Sequence, residues 1–497
     1  MSNLSELLPT GGGQNAVDFV ASGTLSSGQT VALKSDGTVT AVSEESVATV
    51  VSSATSIGDS PHSSLSQVTA IYDSANTRWF VGWVDGYGYK TRIGTVNSSS
   101  SITWGAINSS TSPAGQHGLA YDSTSGFLMH MHWTGAWNVY VGSISGTTIS
   151  YSGNLWGGRS DITSGTLAFN PSSGRIMAIA VQDYVSDLYY VTCVPIKING
   201  ASSVSIGTAT TIDSNTTGLS YPRTAYDSVN EQIILAYRLN NSGFKLRAIT
   251  DTGTGGVSVG SSTDIGNTTQ TGDGMTVALS QSAGANLGVV LIAKGAYELL
   301  AYTISVSGTT ITEQTAPGPV TLTTDRNAGG TQTLSYDPRS GTYVAGWMIN
   351  GSPSFTSYYS ILTVTSGTTI SASTGTVSGP WSTAAFDIIG DIDTNTYQVF
   401  SSYQANVGAV RDFEYKLITP AHLASNSADF IGITAEAISN AATGPVNVYG
   451  GINEAQTGLT IGSDYYVQDD GSLSTATSTV KAGQAISATT INMMDLT

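Results

Sequence analysis

Apolar residues in this sequence recur in short alternating runs, and polar or glycine-rich turns separate one run from the next. The clearest example is "AIYDSANTRWFVGWVDG", which begins at Ala70, and related phrases begin at Leu119, Thr224 and Leu334. Each phrase contains a short run, a turn that opens with Asp, and a second run. Because a two-residue period is that of a strand, the phrases predict β-hairpins.

The hairpin phrase opens a repeat of about 50 residues. We expect the tyrosine before the turn to pack between repeats and the aspartate to hold the turn. The repeat has room for four strands, and seven copies predict an all-β chain with a seven-bladed β-propeller over residues 47–417. The anchor positions are Tyr72, Tyr121, Phe169, Tyr226, Tyr336, a weaker one at Ile392 and a degenerate one near Leu279.

The two ends of the repeat array are unequal. The last copy stops at "RDFEYKLITPA" without a fourth strand, whereas "VATVVSSATS" from Val47 precedes the first copy and has the pattern of a strand. Since an open ring would expose strand edges, we expect the N-terminal segment to complete the last blade and close the propeller.

The segments on either side of the repeats share a second pattern. Residues 16–46 and 418–497 both open on an Asp-Phe phrase, and "GLTIGSDYYVQDDGSLST" from Gly458 resembles "GTLSSGQTVALKSDGTVT" from Gly23. Their "SDG" and "DDG" turns between apolar runs indicate hairpins. We therefore expect both segments to form one small β-domain into which the propeller is inserted. Residues 1–15 are expected to form a short arm with a glycine hinge.

Charge and composition exclude several classes of function. The chain has 17 Lys+Arg against 34 Asp+Glu, a net charge of −17, which disfavours a nucleic-acid surface. Its apolar runs are too short for membrane insertion, and the N-terminus has no secretory pattern. Cys193 is the only cysteine, so an intrachain disulfide and a multi-cysteine metal site are excluded.

The terminal phrases resemble a known family. "YYVQDDGSLST" and "KAGQAIS", together with the repeat "YDS…W.D…IGTV…SSSSITWG", are similar to repeat-containing tail fibre and virion appendage proteins of marine bacteriophages, both cyanophages and pelagiphages. The resemblance implies a structural protein of the virion that engages the host surface, with no catalytic residues. It also implies other virion proteins as partners, through the terminal domain and the arm, and leaves homo-oligomerisation open.

Residues with catalytic or metal-binding chemistry are few. His130 and His132 alternate and so share a strand face, but a metal would need at least one further ligand. "DIDTN" at residues 391–395 imitates the start of a calcium loop without its later glycine and glutamate. "SSSSITW" keeps only the end of a sialidase Asp-box, and a paired acid is missing. We therefore predict no enzyme, no cofactor and no metal.

The loops offer a better candidate for a site. In a four-stranded blade, the loops between strands two and three and those between blades share one face of the propeller, opposite the Asp turns, and we expect the terminal domain to lie on the Asp-turn side. Exposed aromatic residues in polar loops are typical of recognition surfaces. "TGAWN" makes Trp137 the strongest single candidate. The predicted receptor-binding residues are Tyr87, Tyr89, Trp137, Trp156, Arg159, Tyr184, Tyr297, Phe355 and Trp381.

Three functions remain open at this point. The first is a tail fibre or appendage whose propeller binds a host cell-surface glycan or protein. The second is a capsid or neck decoration protein that stabilises the particle without host binding. The third is a particle-bound glycan hydrolase. Glycan binding separates the first from the second, and release of sugar products separates the third from both.

Overall fold

The computed structural model describes residues 15–493 with short gaps, at 48–49, 52–54, 57–64, 74, 86–87, 99–100, 111–115, 134–135, 161, 186–187, 216–218, 240–242, 267–273, 281–285, 295–297, 325–331, 338–339, 352–353, 366–367, 392–395, 405–410 and 420–421. The described residues contain strands and one 3-10 turn at Ser427–Asp429, but no α-helix. Two compact units result. One combines Met1–Ala48 with Ala421–Thr497, and the other is Thr49–Pro420.

The strands before the first repeat belong to both units. In chain order they are β1 (Ala16–Val20), β2 (Thr30–Leu33), β3 (Val39–Ala41), β4 (Glu44–Val47), β5 (Val50–Val51) and β6 (Thr55–Ser56).

Five repeats each form one antiparallel sheet. Blade 1 contains β7 (Leu65–Asp73), β8 (Arg78–Asp85), β9 (Tyr89–Ser98), β10 (Ser101–Trp104) and β11 (Asn108–Ser110). Blade 2 contains β12 (Gln116–Asp122), β13 (Phe127–Trp133), β14 (Ala136–Ser145), β15 (Thr148–Tyr151) and β16 (Trp156–Ser160). Blade 3 contains β17 (Ile162–Asn170), β18 (Arg175–Val185), β19 (Leu188–Gly200), β20 (Ser203–Ile206) and β21 (Thr210–Asn215). Blade 4 contains β22 (Leu219–Asp227), β23 (Gln232–Leu239), β24 (Gly243–Asp251), β25 (Val257–Val259) and β26 (Thr263–Ile265). Blade 5 contains β27 (Gly274–Leu279), β28 (Leu287–Lys294), β29 (Glu298–Ser307), β30 (Thr310–Glu313) and β31 (Val320–Thr323).

The last two blades share one long strand. Blade 6 contains β32 (Thr333–Asp337), β33 (Thr342–Gly351), β34 (Ser354–Thr365) and the first part of β35 (Thr369–Asp391). The second part of β35 opens blade 7, which continues with β36 (Thr396–Gln404) and β37 (Arg411–Thr419). The remaining strands are β38 (His422–Ser425), β39 (Phe430–Thr434), β40 (Thr443–Val448), β41 (Ile452–Asn453), β42 (Asp464–Val467), β43 (Leu473–Ser474), β44 (Lys481–Ala485) and β45 (Ile491–Asn492).

The seven blades form a closed ring. The first strands of successive blades contact one another in the order β7, β12, β17, β22, β27, β32 and β35, and β35 in turn contacts β7. Strand β37 pairs with β5, where Ile418 lies opposite Val51, and with β6, where Tyr415 lies opposite Thr55. The N-terminal strand therefore completes blade 7, and the predicted closed seven-bladed propeller is confirmed.

The fourth strand of a blade is broken in two. In blade 1 both β10 and β11 pair with β9, first along its C-terminal half and then along its N-terminal half. Blades 2 to 5 repeat this arrangement. In blade 7 the two pieces are β5 and β6, so the closing segment has the same form as the others.

The core of the propeller lies between neighbouring blades. Ile234 and Phe244 of blade 4 pack in one cluster with Val290 and Tyr302 of blade 5, and comparable clusters join blades 1–2, 2–3, 3–4 and 5–6. A central strand is covered on both faces, which explains why Gln232 through Tyr237 are all buried in β23. Such a strand is apolar throughout instead of alternating.

The aspartate of the repeated phrase is its buried residue. Asp73, Asp122, Asp227 and Asp337 are each 2% exposed, whereas of the anchor tyrosines that precede them only Tyr121 is fully buried. Our expectation for the aspartate is confirmed, and that for the tyrosines holds in part, because Tyr226 and Tyr336 pack against the clusters between blades but are only half-buried.

Two of the weaker anchors can also be checked by register. Leu279 occupies the tyrosine position, since it lies opposite Gly288 and Ser280 follows in the place of the aspartate. In blade 7, Asp391 lies opposite Thr396, as Asp73 lies opposite Arg78. Gly390 is thus the equivalent of the tyrosine, and the predicted anchor at Ile392 was wrong by two residues.

The terminal unit is built from both ends of the chain. Its first sheet has the order β1-β40-β39-β2-β3, so N-terminal strands flank C-terminal ones. Strands β4 and β38 pair beside it, with Val47 opposite His422. A second sheet has the order β41-β45-β44-β42-β43 and is entirely C-terminal. The predicted small β-domain from the two flanking segments is confirmed.

Candidate functional site

The two edges of the propeller differ in how they are held. At one edge, which we call the Asp-turn edge, Asp122 Oδ1 accepts hydrogen bonds from the backbone N–H groups of Thr124 and Ser125 at 2.9 and 3.1 Å. Its Oδ2 accepts one from the Ser125 hydroxyl at 2.6 Å. Asp227 holds its own turn by the same pattern. The carboxylate thus accepts the hydrogen bonds that the turn would otherwise donate to water.

Hydrogen bonds between blades also occur at the Asp-turn edge. Arg78 Nη2 donates to the Tyr121 hydroxyl at 3.3 Å, which joins blades 1 and 2. Arg175 Nη1 donates to both carboxylate oxygens of Asp251 at 3.0 Å, and Gln232 Nε2 donates to the Gly308 carbonyl at 2.6 Å. These bonds join blades 3–4 and 4–5, so they hold neighbouring blades together at this edge.

The opposite edge, the loop edge, carries the hairpins between strands two and three. It also carries the last segment of strand four, because Ser110 lies opposite Tyr89 and Asn215 lies opposite Tyr189. The predicted topology of the two faces is therefore correct. Its sequences differ from blade to blade, unlike the Asp turns.

Trp137 was the strongest candidate from sequence, and that prediction was wrong. It is not at a loop tip but in β14, one residue after the strand begins, opposite Trp133. Its side chain is fully buried in the cluster between blades 2 and 3. Because Trp137 lies within the strand and not in the loop before it, alternation along the strand directs its side chain inward.

Tyr89 is also buried and cannot contact a receptor. It is 1% exposed, and its ring stacks on the His130 ring with a 4.0 Å centroid distance. Burial raises the pKa of the Tyr89 hydroxyl well above its ordinary value. A β-carbon at Gly82 would collide with the Tyr89 hydroxyl, so the glycine provides the space for this ring.

Trp156 is the candidate with a described and partly exposed side chain. Its ring meets that of Trp137 edge to face, with centroids 5.3 Å apart. Asn154 fixes the preceding loop, because its Oδ1 accepts from the backbone N–H groups of Trp156 and Val139 at 3.1 and 3.2 Å. Its Nδ2 donates to Asn138 Oδ1 at 2.7 Å. The Trp156 ring thus packs against the buried Trp137, and hydrogen bonds to Asn154 fix the backbone before it.

The remaining candidates are placed by strand or lie outside the described residues. Arg159 lies in β16 beside Trp156, and Tyr184 lies in β18. Phe355 in β34 and Trp381 in β35 are opposite each other in register. Tyr87 and Tyr297 fall in the gaps. The topology therefore brings Trp156 and Arg159 together on blade 2, and Phe355 and Trp381 together on blade 6.

A group of stacked rings went unrecognised in the sequence. His130 and His132 share a face, as expected, and Tyr140 packs against both at 5.7 and 5.6 Å between centroids. Tyr151 approaches His130 edge-on at 5.7 Å, and its hydroxyl contacts Thr91 Oγ1 at 3.2 Å. Both histidines are buried, and burial lowers the pKa of His132. The alternating "HMH" was the available signal, but only the fold shows its aromatic partners.

One buried tyrosine has an acid and a cation beside it. The Tyr237 hydroxyl donates to Asp213 Oδ2 at 2.6 Å and accepts from Arg247 Nε at 3.0 Å. Burial and the neighbouring carboxylate raise the pKa of Tyr237. A neutral, fully buried phenol that joins blades 3 and 4 is a structural contact and a poor nucleophile.

No cluster of three or more His, Cys, Asp or Glu side chains that could hold a metal occurs within the described ranges. In the same ranges, no helix has the length and apolar character needed to cross a membrane.

Two solved structures with similar folds can be compared with this chain. The β-propeller domain of Cps50 (Swd1) from Myceliophteria thermophila aligns over 76% of this chain and 99% of its own, at 9% identity and a TM-score of 0.43. The WD40 domain of SCAP from fission yeast aligns over 81% and 98%, at 7% identity and a TM-score of 0.41. No family model and no curated protein matches the sequence. The assignment of the chain as a β-propeller protein follows from the strand pairing and ring closure described above.

Proposed function

We propose that this protein is a structural component of a bacteriophage virion, a tail fibre or appendage, whose propeller loop edge binds a host-surface glycan or protein. The observation that carries the proposal is the difference between the edges. The Asp turns and the bonds between blades fix one edge, while the other presents a different loop on each blade. Binding residues commonly lie on variable loops that a rigid scaffold positions.

The binding surface is centred on blade 2, at Trp156 and Arg159. A partly exposed tryptophan offers a flat apolar face on which a sugar ring can stack, and Arg159, a hydrogen-bond donor by residue type, follows three residues later in the same strand. Phe355 and Trp381, opposite each other in register on blade 6, are a second candidate pair, of two aromatic residues. The protein acts by binding and has no catalytic role.

The experiment is binding of the purified full-length chain to a glycan array and to intact host cells. We expect Trp156→Ala to weaken binding at least about tenfold while the chain remains folded, because the open part of a ring that packs on Trp137 is available to a bound partner. Trp104→Ala is the matched control, since Trp104 is also partly buried but packs against Arg92 in the middle of blade 1.

Three results would contradict the proposal. Equal binding by the Trp156→Ala and wild-type chains would exclude blade 2 as the contact. If the chain binds neither glycans nor cells yet particles without it lose stability, the protein is a decoration protein. Release of sugar products from host polysaccharide would instead establish a hydrolase.

A further inference from the structure

The terminal unit consists of two copies of one five-stranded module. In both sheets the strands are ordered first, fifth, fourth, second and third along the module. Module 1 is β1, β2, β3, β39 and β40, and module 2 is β41 to β45. The propeller therefore enters module 1 between its third and fourth strands.

The register of the two modules agrees residue by residue. Leu33 lies opposite Val39 in module 1, and Val467 lies opposite Leu473 in module 2. Each module has a bulge at the equivalent place, between Val31 and Ala32 or between Tyr465 and Tyr466.

The turns and close contacts of the modules agree as well. Gly37 and Gly471 close the equivalent turns with φ near +83°. A β-carbon at Gly432 would meet the Asn447 carbonyl, and one at Gly483 would meet the Asn492 carbonyl, at 2.2 and 2.1 Å. The second and third strands of the two modules are thus related by an offset of 434 residues (471 − 37).

The two modules pack through different faces, so the contact is not symmetric. Ala32, Phe430 and Ile433, on one face of module 1, share a core with Tyr465 and Ile491, on the opposite face of module 2. Asn453 Nδ2 donates to the Thr434 carbonyl at 2.9 Å, and Gln456 Nε2 donates to the Gly28 carbonyl at 3.0 Å. We call the face that module 1 uses in this contact its presenting surface, and the face that module 2 uses its receiving surface. Each module has both surfaces, so the receiving surface of module 1 and the presenting surface of module 2 remain unused.

The unused receiving surface, on module 1, is apolar. Val17 and Leu33 are 45% and 40% exposed, whereas Val20, 41% exposed, lies on the other face of β1. The equivalents of Val17 and Leu33 in module 2 are Asn453 and Val467, which lie against module 1 and are each 1% exposed. These two positions are thus covered in module 2 and open in module 1.

The unused presenting surface, on module 2, carries two exposed isoleucines. Ile461 and Ile486 are 69% and 49% exposed, and they lie on adjacent segments joined by the Gly462 N–H to Ala485 carbonyl bond at 2.8 Å. Their equivalents in module 1 are Ser27 and Ala435, beside the Gly28 that contacts Gln456. Within the described residues, the only other exposed large apolar side chain is Val229.

We infer that a second copy of this chain occupies these surfaces, with its module 1 receiving module 2 of the first copy in the way that module 2 receives module 1 within the chain. The intrachain interface supplies the geometry, and an apolar patch remains at each free end. Because the two surfaces differ, the contact is heterologous and builds a ring or an open row of subunits. The Lys481–Asp464 ion pair at 2.7 Å on the presenting face makes the contact more polar than the intrachain one.

The test uses sedimentation velocity of the full chain from about 1 to about 100 μM, a range that reports micromolar association. One variant changes the receiving surface, by Val17→Ser and Leu33→Ser. The other changes the presenting surface, by Ile461→Ser and Ile486→Ser. Val229→Ser is the matched control in the propeller. We expect wild type and control to associate, and each end variant to have a dissociation constant raised at least about tenfold.

Mixing the two end variants distinguishes a heterologous contact from a symmetric one. Each variant keeps one intact surface, so the mixture should form a one-to-one dimer and stop there. A wild-type chain that stays monomeric at every concentration overturns the inference, and so does a mixture that associates no better than its components. If a multiple variant fails to fold, Val17→Ser and Ile461→Ser alone serve, since both side chains are exposed.

Discussion

At the scale of single residues, the buried aspartate of the repeat stabilises its turn through hydrogen bonds that water cannot replace. Asp122 is 2% exposed and accepts three hydrogen bonds within one turn. Asp36 accepts two in a turn of the terminal unit, from the Thr38 N–H and hydroxyl, but it lies in solvent. The same hydrogen bonding by an aspartate in a turn thus occurs once in a buried site and once in solvent.

Asp122→Ala should therefore lower the free energy of unfolding by about 1–3 kcal/mol, because buried donors lose their acceptor. Denaturant unfolding measures the loss. Asp36→Ala is the control and should change stability much less, since water replaces the lost acceptor. Equal effects of the two substitutions would show that burial of the turn is unimportant.

His132 gives the propeller a dependence on pH. Burial lowers its pKa below the ordinary value of 6.5, so the unfolded chain binds the proton more readily than the folded chain. Above that pH both states are neutral at this residue and it adds no slope. As the pH falls below 6.5, stability falls, until the folded pKa is passed.

His132→Gln, which cannot titrate, should make the unfolding free energy less dependent on pH between 6.5 and 5. Melting curves at matched ionic strength measure this. His130 and Tyr140 remain in both proteins, so their effects cancel in the comparison. Parallel curves for variant and wild type would mean that His132 is protonated as easily in the folded state.

At the scale of elements, the closing strand joins the two ends of the propeller. Among the residues that the structure describes, Val50–Val51 and Thr55–Ser56 pair with β37. A disulfide between Val50→Cys and Thr419→Cys, which are opposite in register, would close the ring covalently. It would enclose nearly the whole propeller.

That disulfide should stabilise the oxidised propeller by up to about 6 kcal/mol over the reduced form, since the entropy lost by the unfolded chain grows with loop length. The matched control is Ile198→Cys with Val204→Cys, a register pair in blade 3 that closes only a hairpin, with an upper value of about 2.5 kcal/mol. Unfolding with and without reductant measures both. A closing disulfide no better than the hairpin one would argue against strand closure as the weak point.

The sequence was informative about elements and less so about side-chain direction. Regular "YDS" turns allowed the blade count, the closure and the Asp-turn edge to be predicted, because turn chemistry and strand period act locally. Trp137 could not be placed that way, since a one-residue shift along a strand moves a side chain from solvent to core. Its burial in the cluster between blades 2 and 3 depends on contacts far apart in the chain.

The terminal modules show the same limit. The likeness between the "SDG" and "DDG" phrases was visible, but their strand order was not. Module 1 has its strands in two pieces that the propeller separates, so only pairing such as Thr30 with Ile433 reveals that it repeats module 2. Likewise, the exposed Val17 and Ile461 become meaningful only beside their buried or polar equivalents.

At the scale of the whole molecule, the propeller is an insertion at a point where two strand ends meet. Val47 and His422 are paired in β4 and β38. Replacing residues 48–421 by Asn-Gly would turn this pair into an ordinary two-residue hairpin. The terminal unit should then fold by itself, since its cores contain residues from its own two segments only.

Circular dichroism and amide dispersion in an NMR spectrum test the excised unit. We expect a β-type spectrum and a single cooperative melt. A control with Ile433→Asp, which introduces a charge into the shared core of the two modules, should not fold. An unfolded excised unit would show that module 1 needs the propeller to form.

The insertion also sets the order in which the sheets can be completed during synthesis. Strand β3 ends at Ala41, and its sheet cannot be completed until β39, beginning at Phe430, has been made. At a synthesis rate of about 5–20 residues per second, roughly 20–80 s separate the two. During that interval the propeller strands emerge in order, while β5 waits for β37. The ring and module 1 are therefore both completed only after β37 and β39 have left the ribosome, the ring first.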